Sequence, residues 1–215
     1  MSGATDTPQA ALEAAAREEY LAVMHEHEAR PGHVLHVTRL ALELFDGLVI
    51  LHGLGPRPRL LLAAAGHLHD IGHKVIETEE GHHKESARLI RAHPWKGFTP
   101  LEVELIAQIA RYHRKAMPDF RHEEFRALPD RDRETVLVLS SLLRLADGLD
   151  RSHRAMILGL AVEVRGTQVL LHLQSAGPAP RELAGAREKA DLARIVFRRD
   201  FDVQYAQPTP DKTGP

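Results

Sequence analysis

A chain of 215 residues suits one domain of ordinary size, or one domain with a small appendage, and can bury a single substantial core. With 43% hydrophobic and 27% charged residues and a formal net charge of -2, both signs mixed along the chain, it reads as globular without a basic footprint for duplex nucleic acid; a small anionic substrate stays open. Zero cysteines exclude disulfides and thiolate metal sites, and no apolar run reaches the roughly 18 residues of a membrane span. No basic-then-apolar export signal opens the chain, so the expectation is a cytoplasmic protein whose metals, if any, are held by nitrogen and oxygen.

Residues 1–7 are small and polar and are expected to be loose. From Pro8 to about Glu28 an Ala/Glu/Leu-rich stretch predicts a first helix, with His25 and His27 at a solvated end. A second helix is expected from about Gly32 to His52, because Val37, Leu40, Leu44, Leu48 and Leu51 follow helical spacing. His33 falls in the middle of that stripe and faces the core, while His36 falls towards the rim near Arg39 and Glu43. Pro31 suits the first turn, which puts His33 near the helix start.

After the Gly/Pro turn at 53–58, Leu60 to Ala65 form a strong helix that leads into His-Leu-His-Asp-Ile-Gly-His, residues 67–73. His69 and Asp70 then lie in its last turn, ahead of Gly72. A carboxylate at the end of a buried helix needs a cation, a hydrogen-bonding partner or solvent. The polar loop with Glu77, Glu79 and Glu80 suits the rim of a cleft, and a short helix opens on His82 and His83. Adjacent helical residues diverge by about 100°, so one of those two histidines is expected to face a given centre.

The next helix, Leu101 to about Arg114, carries Leu105, Ile106 and Ile109 on one stripe that His113 continues. After a connection over residues 116–130, a long helix from Asp132 to about His153 places Asp147 in phase with Val136, Ser140 and Leu143. An ionised aspartate on that apolar face again asks for a positive partner. Beyond residue 155 the period changes: 160–165 and 168–173 alternate as a β-hairpin around Gly166 and Thr167, Pro180 to about Arg198 reads as one amphipathic helix, and 201–205 as a third strand. His172 is read as structural, and the proline-rich residues 207–215 as disordered. The expected organisation is a mainly α helical bundle over 8–155 with a small α+β appendage over 156–206.

One inward histidine is usually a satisfied core residue. Here His33, His69, Asp70, His113 and Asp147 come from four apolar helices, which suits one or two divalent ions such as Mn, Fe, Co, Ni, Zn or Mg. The order His33, His69-Asp70, Asp147 resembles the HD superfamily of metal-dependent phosphohydrolases, in which a His, a His-Asp pair and a distant Asp bind the first metal. The phrases Leu-His-Asp-Ile-Gly-His, His-His-Lys-Glu-Ser-Ala-Arg-Leu-Ile, Ala-Arg-Tyr-His-Arg-Lys-Ala-Met-Pro and Leu-Leu-Arg-Leu-Ala-Asp-Gly-Leu-Asp-Arg-Ser-His are similar, more specifically, to the C-terminal HD domain of exopolyphosphatase/guanosine pentaphosphatase proteins. That family's N-terminal actin-like phosphatase domain has no counterpart here, so its polyphosphatase activity is not carried over.

What the resemblance implies is an HD-domain helical bundle and a metal site at His33, His69, Asp70 and Asp147. A second ion would be held by His82 or His83 with His113, and Asp70 would bridge. The implied activity is hydrolysis of a nucleotide or another small phosphorylated compound by a metal-activated hydroxide, with Asp70 and His69 catalytic and Asp70 orienting the water. Lys84, Arg114, Lys115, Arg144 and Arg151, basic residues beside the motifs, are candidates for gripping phosphate. The alternative is a non-catalytic metal-containing module that binds a nucleotide or a regulatory partner. The hairpin and final helix offer a surface for a homodimer.

Overall fold

The computed structural model describes residues 8–27, 30–75 and 81–206; the expectations for 1–7, for the loop with Glu77, Glu79 and Glu80, and for 207–215 lie outside the described residues. The architecture is mainly α with a small α+β appendage. Helix α1 is Pro8–His27, α2 Pro31–Gly47, α3 Val49–His52, α4 Pro56–Leu68, α5 His82–Ala92, α6 Pro100–Arg111, α7 Glu123–Arg126 and α8 Asp130–Gly148. Strands β1 Ile157–Arg165 and β2 Gln168–Ser175 follow, then α9 Pro180–Lys189, α10 Asp191–Phe197 and β3 Asp200–Tyr205.

Helix α4 is the centre of the bundle, packing on α1, α2, α6 and α8. Its run from Leu60 to Ala65 is buried on all sides, as its continuous apolar sequence requires. At Gly66 a Cβ would stand 2.6 Å from Thr38 Oγ1, so only glycine lets α4 lie this close to α2. The start of α2, the ends of α4, α6 and α8 and the start of α5 thereby gather at one end of the bundle. Three of these five are C-terminal helix ends, the negative poles of helix dipoles, which favours a cation.

The helix predicted to reach Arg114 ends at Arg111, and three others end or break early where they meet other segments. Helix α2 stops at Gly47 instead of reaching His52, where β1 leans against it: a Cβ on Gly47 would sit 2.5 Å from Val162 Cγ2. Helix α8 runs 130–148 instead of 132–153 because Gly148 meets the backbone of α9, and the chain beyond it turns through left-handed residues His153 and Ala155. The predicted helix 180–198 is two, broken at Ala190, where the Asp191 carboxylate accepts from the Leu192 N–H at 2.7 Å and is held by Arg144.

In the appendage β1 and β2 pair antiparallel and β2 and β3 pair parallel, in the order β1-β2-β3. Gly166 takes the positive φ of +53° in the hairpin turn. Leu171, Leu173, Phe201 and Val203 are buried, and β1 also covers α2. That cover corrects the placing of His36 at the rim. It is buried, its pKa is pushed down by burial, and its Nδ1 is 3.4 Å from Arg39, which itself donates to the Ile157 carbonyl. His172 pairs with Glu163 at 3.1 Å on the sheet.

Candidate functional site

His69 is the C-cap of α4 and Asp70 opens a short 3-10 turn, Ile71–Lys74. A Cβ on Gly72 in that turn would meet the His82 carbonyl oxygen at 2.3 Å, and its N–H donates to Ser86 Oγ at 3.0 Å. The turn is thus pressed onto the start of α5, which brings His82 to Asp70. His113 lies just beyond α6, where Tyr112 is the C-cap and Lys115 is left-handed.

Five imidazoles face Asp70, four of them from the set the sequence singled out. His69 Nε2 is 3.7 Å from Oδ1, His82 Nε2 3.4 Å and His113 Nε2 3.6 Å, while His33 Nε2 is 3.8 Å from Oδ2. Two groups emerge, His33 with His69 and Asp70, and Asp70 with His82 and His113; in each the ligand atoms lie within 4.8 Å of one another and all three residues are buried. Donors about 2.0–2.2 Å from one ion stand roughly 3–4 Å apart, so the spacing fits a divalent ion.

The rings are also turned for this. His69 Nδ1–H donates to the Gly66 carbonyl and His113 Nδ1–H to Ala110, both at 2.7 Å, so in the neutral rings each Nε2 offers a lone pair inward. Among the described residues, His69 Nε2 is buried with no hydrogen-bond partner. A buried orphan nitrogen beside a carboxylate is the observation that most directly calls for a cation, and a set of nitrogens and oxygens suits Mn, Fe, Co, Ni, Zn or Mg.

Asp147 Oδ1 is 3.4 Å from His33 Nε2, and its Oδ2 accepts from Lys189 Nζ. Burial opposes the charge on Asp147, yet Lys189 and His33 hold its carboxyl well below the usual range. Burial likewise opposes the charge on Asp70, and the facing His69 and His113 rings hold that carboxyl low. Burial would lower His33, but Asp147 and Asp150 outweigh it and raise the ring to about 9. On the other side burial drives His82 down to about 3 and His83 to about 4, helped in both by Arg114, and pushes His113 well below its ordinary value.

Of the adjacent pair, His82 reaches Asp70, while His83 is buried with its ring 6.4 Å from that of His113 and belongs to neither group. Among the basic candidates, Arg114 NH1 is 3.3 Å from His82 Nε2, and Lys84, Lys115 and Arg151 are exposed. Arg144 is placed otherwise. It is buried, forms a two-pronged pair with Asp191 at 2.8 Å and donates to the Lys115 carbonyl at 3.2 Å, so its guanidinium is committed to joining α8, the 112–115 turn and α10.

Several site residues escaped the sequence reading. Asp150 Oδ2 accepts from His33 Nδ1–H at 2.8 Å and its Oδ1 from the Ala155 N–H, which fixes the His33 ring. His73 Nε2 is 3.6 Å from Asp70 and its ring stacks on His82, and Arg30 lies 3.5 Å from Asp70. His153, left-handed, stacks on His33 with centroids 4.0 Å apart. Asp150 and His73 recur three and four residues after Asp147 and His69, a helical-turn spacing that could have flagged both. Lys189, in the appendage, left no such signal.

No helix among the described residues is long and apolar enough to cross a membrane. A search of curated proteins gives no match. A family model described as Ppx/GppA phosphatase, domain III, matches residues 19–179, a span that begins in α1, takes in each histidine and aspartate of the cluster and ends at the threshold of α9. The chain therefore belongs to the Ppx/GppA phosphatase family, through its domain III.

Proposed function

We propose that the chain is an HD-type metal-dependent phosphohydrolase acting on a nucleotide or another small phosphorylated compound in the cytoplasm. The observation that carries this reading is the pair of buried His/Asp groups sharing Asp70, with His69 Nε2 orphaned among the described residues. One or two divalent ions, bound by His33, His69, Asp70 and Asp147 on one side and by Asp70, His82 and His113 on the other, would supply charge for the phosphoryl oxygens and an acidified water.

The chain's own groups do the rest. Asp70, an acceptor-only carboxylate held ionised, would orient the attacking water. The Gly66 and Ala110 carbonyls keep the His69 and His113 rings aimed inward. Arg114 beside His82, with exposed Lys84, Lys115 and Arg151 on neighbouring segments, would grip the substrate phosphate. The exposed Leu158 and Ile195 of the appendage support a homodimer formed through the hairpin and final helix.

A second reading, a metal-containing module that binds a nucleotide or partner without turnover, draws support from the match to one domain of a phosphatase family. Hydrolysis of phosphomonoesters, phosphodiesters, pyrophosphates and nucleotides with Mn, Co, Ni or Mg, with and without chelator, separates the two. Turnover that chelator, His69→Ala and Asp70→Ala each abolish while circular dichroism stays unchanged is the expected result. Silence across all metals and substrates would favour the second reading.

A further inference from the structure

The appendage contributes a charge to the His/Asp cluster. Helices α8 and α9 cross with their backbones touching: a Cβ on Gly148 would lie 2.6 Å from the Gly185 carbonyl oxygen, and one on Gly185 2.5 Å from that of Gly148. One turn beyond Gly185, Lys189 lies over Asp147, the neighbour of Gly148, and its ammonium bonds Oδ2; the two side chains are 11% and 15% exposed. Two further contacts hold this crossing. Glu182, buried, accepts from the Ser152 N–H at 3.0 Å, and Asp191 takes Arg144 in a two-pronged pair at 2.8 Å. A nearly buried lysine is costly unless paired, so this placement is built by the fold around it.

Asp147 is thereby divided, with Oδ1 turned to His33 inside the cluster and Oδ2 held by the lysine. We propose that Lys189 is an internal counter-ion of Asp147 against which a divalent cation must bind, so that the C-terminal appendage sets the metal affinity of the His33 side. This rests on the metal-binding reading above. An ammonium and a dication acting on one carboxylate in a partly dry site repel strongly, by more than the roughly 10–100-fold that loss of an orienting contact costs. Removing the ammonium therefore tightens the site.

The experiment is Mn titration of the full chain by calorimetry, with melting curves in chelator and in Mn, for wild type, Lys189→Met and Lys189→Arg. Lys189→Met is expected to bind Mn at least about tenfold more tightly, and Lys189→Arg within a few-fold of wild type. In chelator Lys189→Met melts earlier because Asp147 Oδ2 loses its ammonium partner, and Mn restores it to wild-type Tm, a rescue that a purely structural contact would not show. Lys189→Gln, polar and of similar length, serves as a second variant with the same expected tightening. Wild type that binds Mn while the Met and Gln variants bind equally or more weakly, or stay unfolded in Mn, overturns this inference alone. No Mn bound by any variant overturns the metal reading along with it.

Discussion

The two sides of Asp70 are built from the same residue types and electrostatically opposed. On the His33 side, Asp147 and Asp150 flank one imidazole and raise it to about 9, so that ring carries a proton at neutral pH. On the His82 side burial dominates and Arg114, 3.3 Å from His82 Nε2, adds to it, so His82, at about 3, and His113, lower than its ordinary value, are neutral at neutral pH. A cation entering the His33 side must displace a proton and act against Lys189; one entering the His82 side displaces none from its histidines. The lesson is that counting imidazoles does not rank metal sites. The carboxylates and cations behind the ligands decide which nitrogen is ready.

The largest effect is expected at the carboxylate the two sides share. Asp70→Asn is expected to lower kcat by at least about 10³-fold and to empty both sides of divalent ion, measured by steady-state kinetics and by metal content after dialysis. Adding His113→Ala to it should cost little more, since both act through one assembly.

Next in size is Asp150→Ala, which frees the His33 ring while leaving His82 and His113 untouched. Divalent affinity on the His33 side alone should fall about 10–100-fold, read as loss of the weaker or stronger of two calorimetric phases but not both.

The opposed histidines also set a pH profile for the metal-free fold. His33, raised from 6.5 to about 9, binds more protons folded than unfolded, so its contribution is complete below 6.5 and is lost as pH rises to about 9. His82, His83 and His113 are lowered, so the unfolded chain takes up protons first and stability falls as pH drops from 6.5 towards 4 and below. Tm in chelator should therefore peak near pH 6.5–7 and decline on both sides. His33→Gln should flatten the alkaline limb only.

Smallest are the exposed cations. Lys84→Ala or Arg151→Ala should raise KM a few-fold with kcat nearly unchanged and Tm within about 1 °C, as expected for single charges in solvent.

Much of this arrangement was legible from periodicity, because His33 and Asp147 sit on apolar stripes and His69-Asp70 at the end of an apolar helix. Those signals are local, and each side chain does turn inward. What periodicity could not carry were contacts between distant segments. His36 looked like a rim residue until β1 covered it, and Arg144 looked available until Asp191, 47 residues later, took its guanidinium. The helix ends at Gly47 and Gly148 depend on what packs there, Val162 and Gly185, which no window of a dozen residues contains. Lys189 combines both difficulties, being an ordinary helical lysine whose meaning comes wholly from Asp147 across the Gly148/Gly185 crossing.

The central claim is that buried nitrogens and oxygens from separate helices share divalent cation around Asp70. Anomalous diffraction at the manganese edge from crystals grown with Mn tests it directly. A peak is expected within bonding distance of His69 Nε2 and Asp70, and a second against His82 and His113 if both sides fill. A map with no peak there at saturating Mn, in crystals that diffract well enough to show the His69 ring, would contradict it.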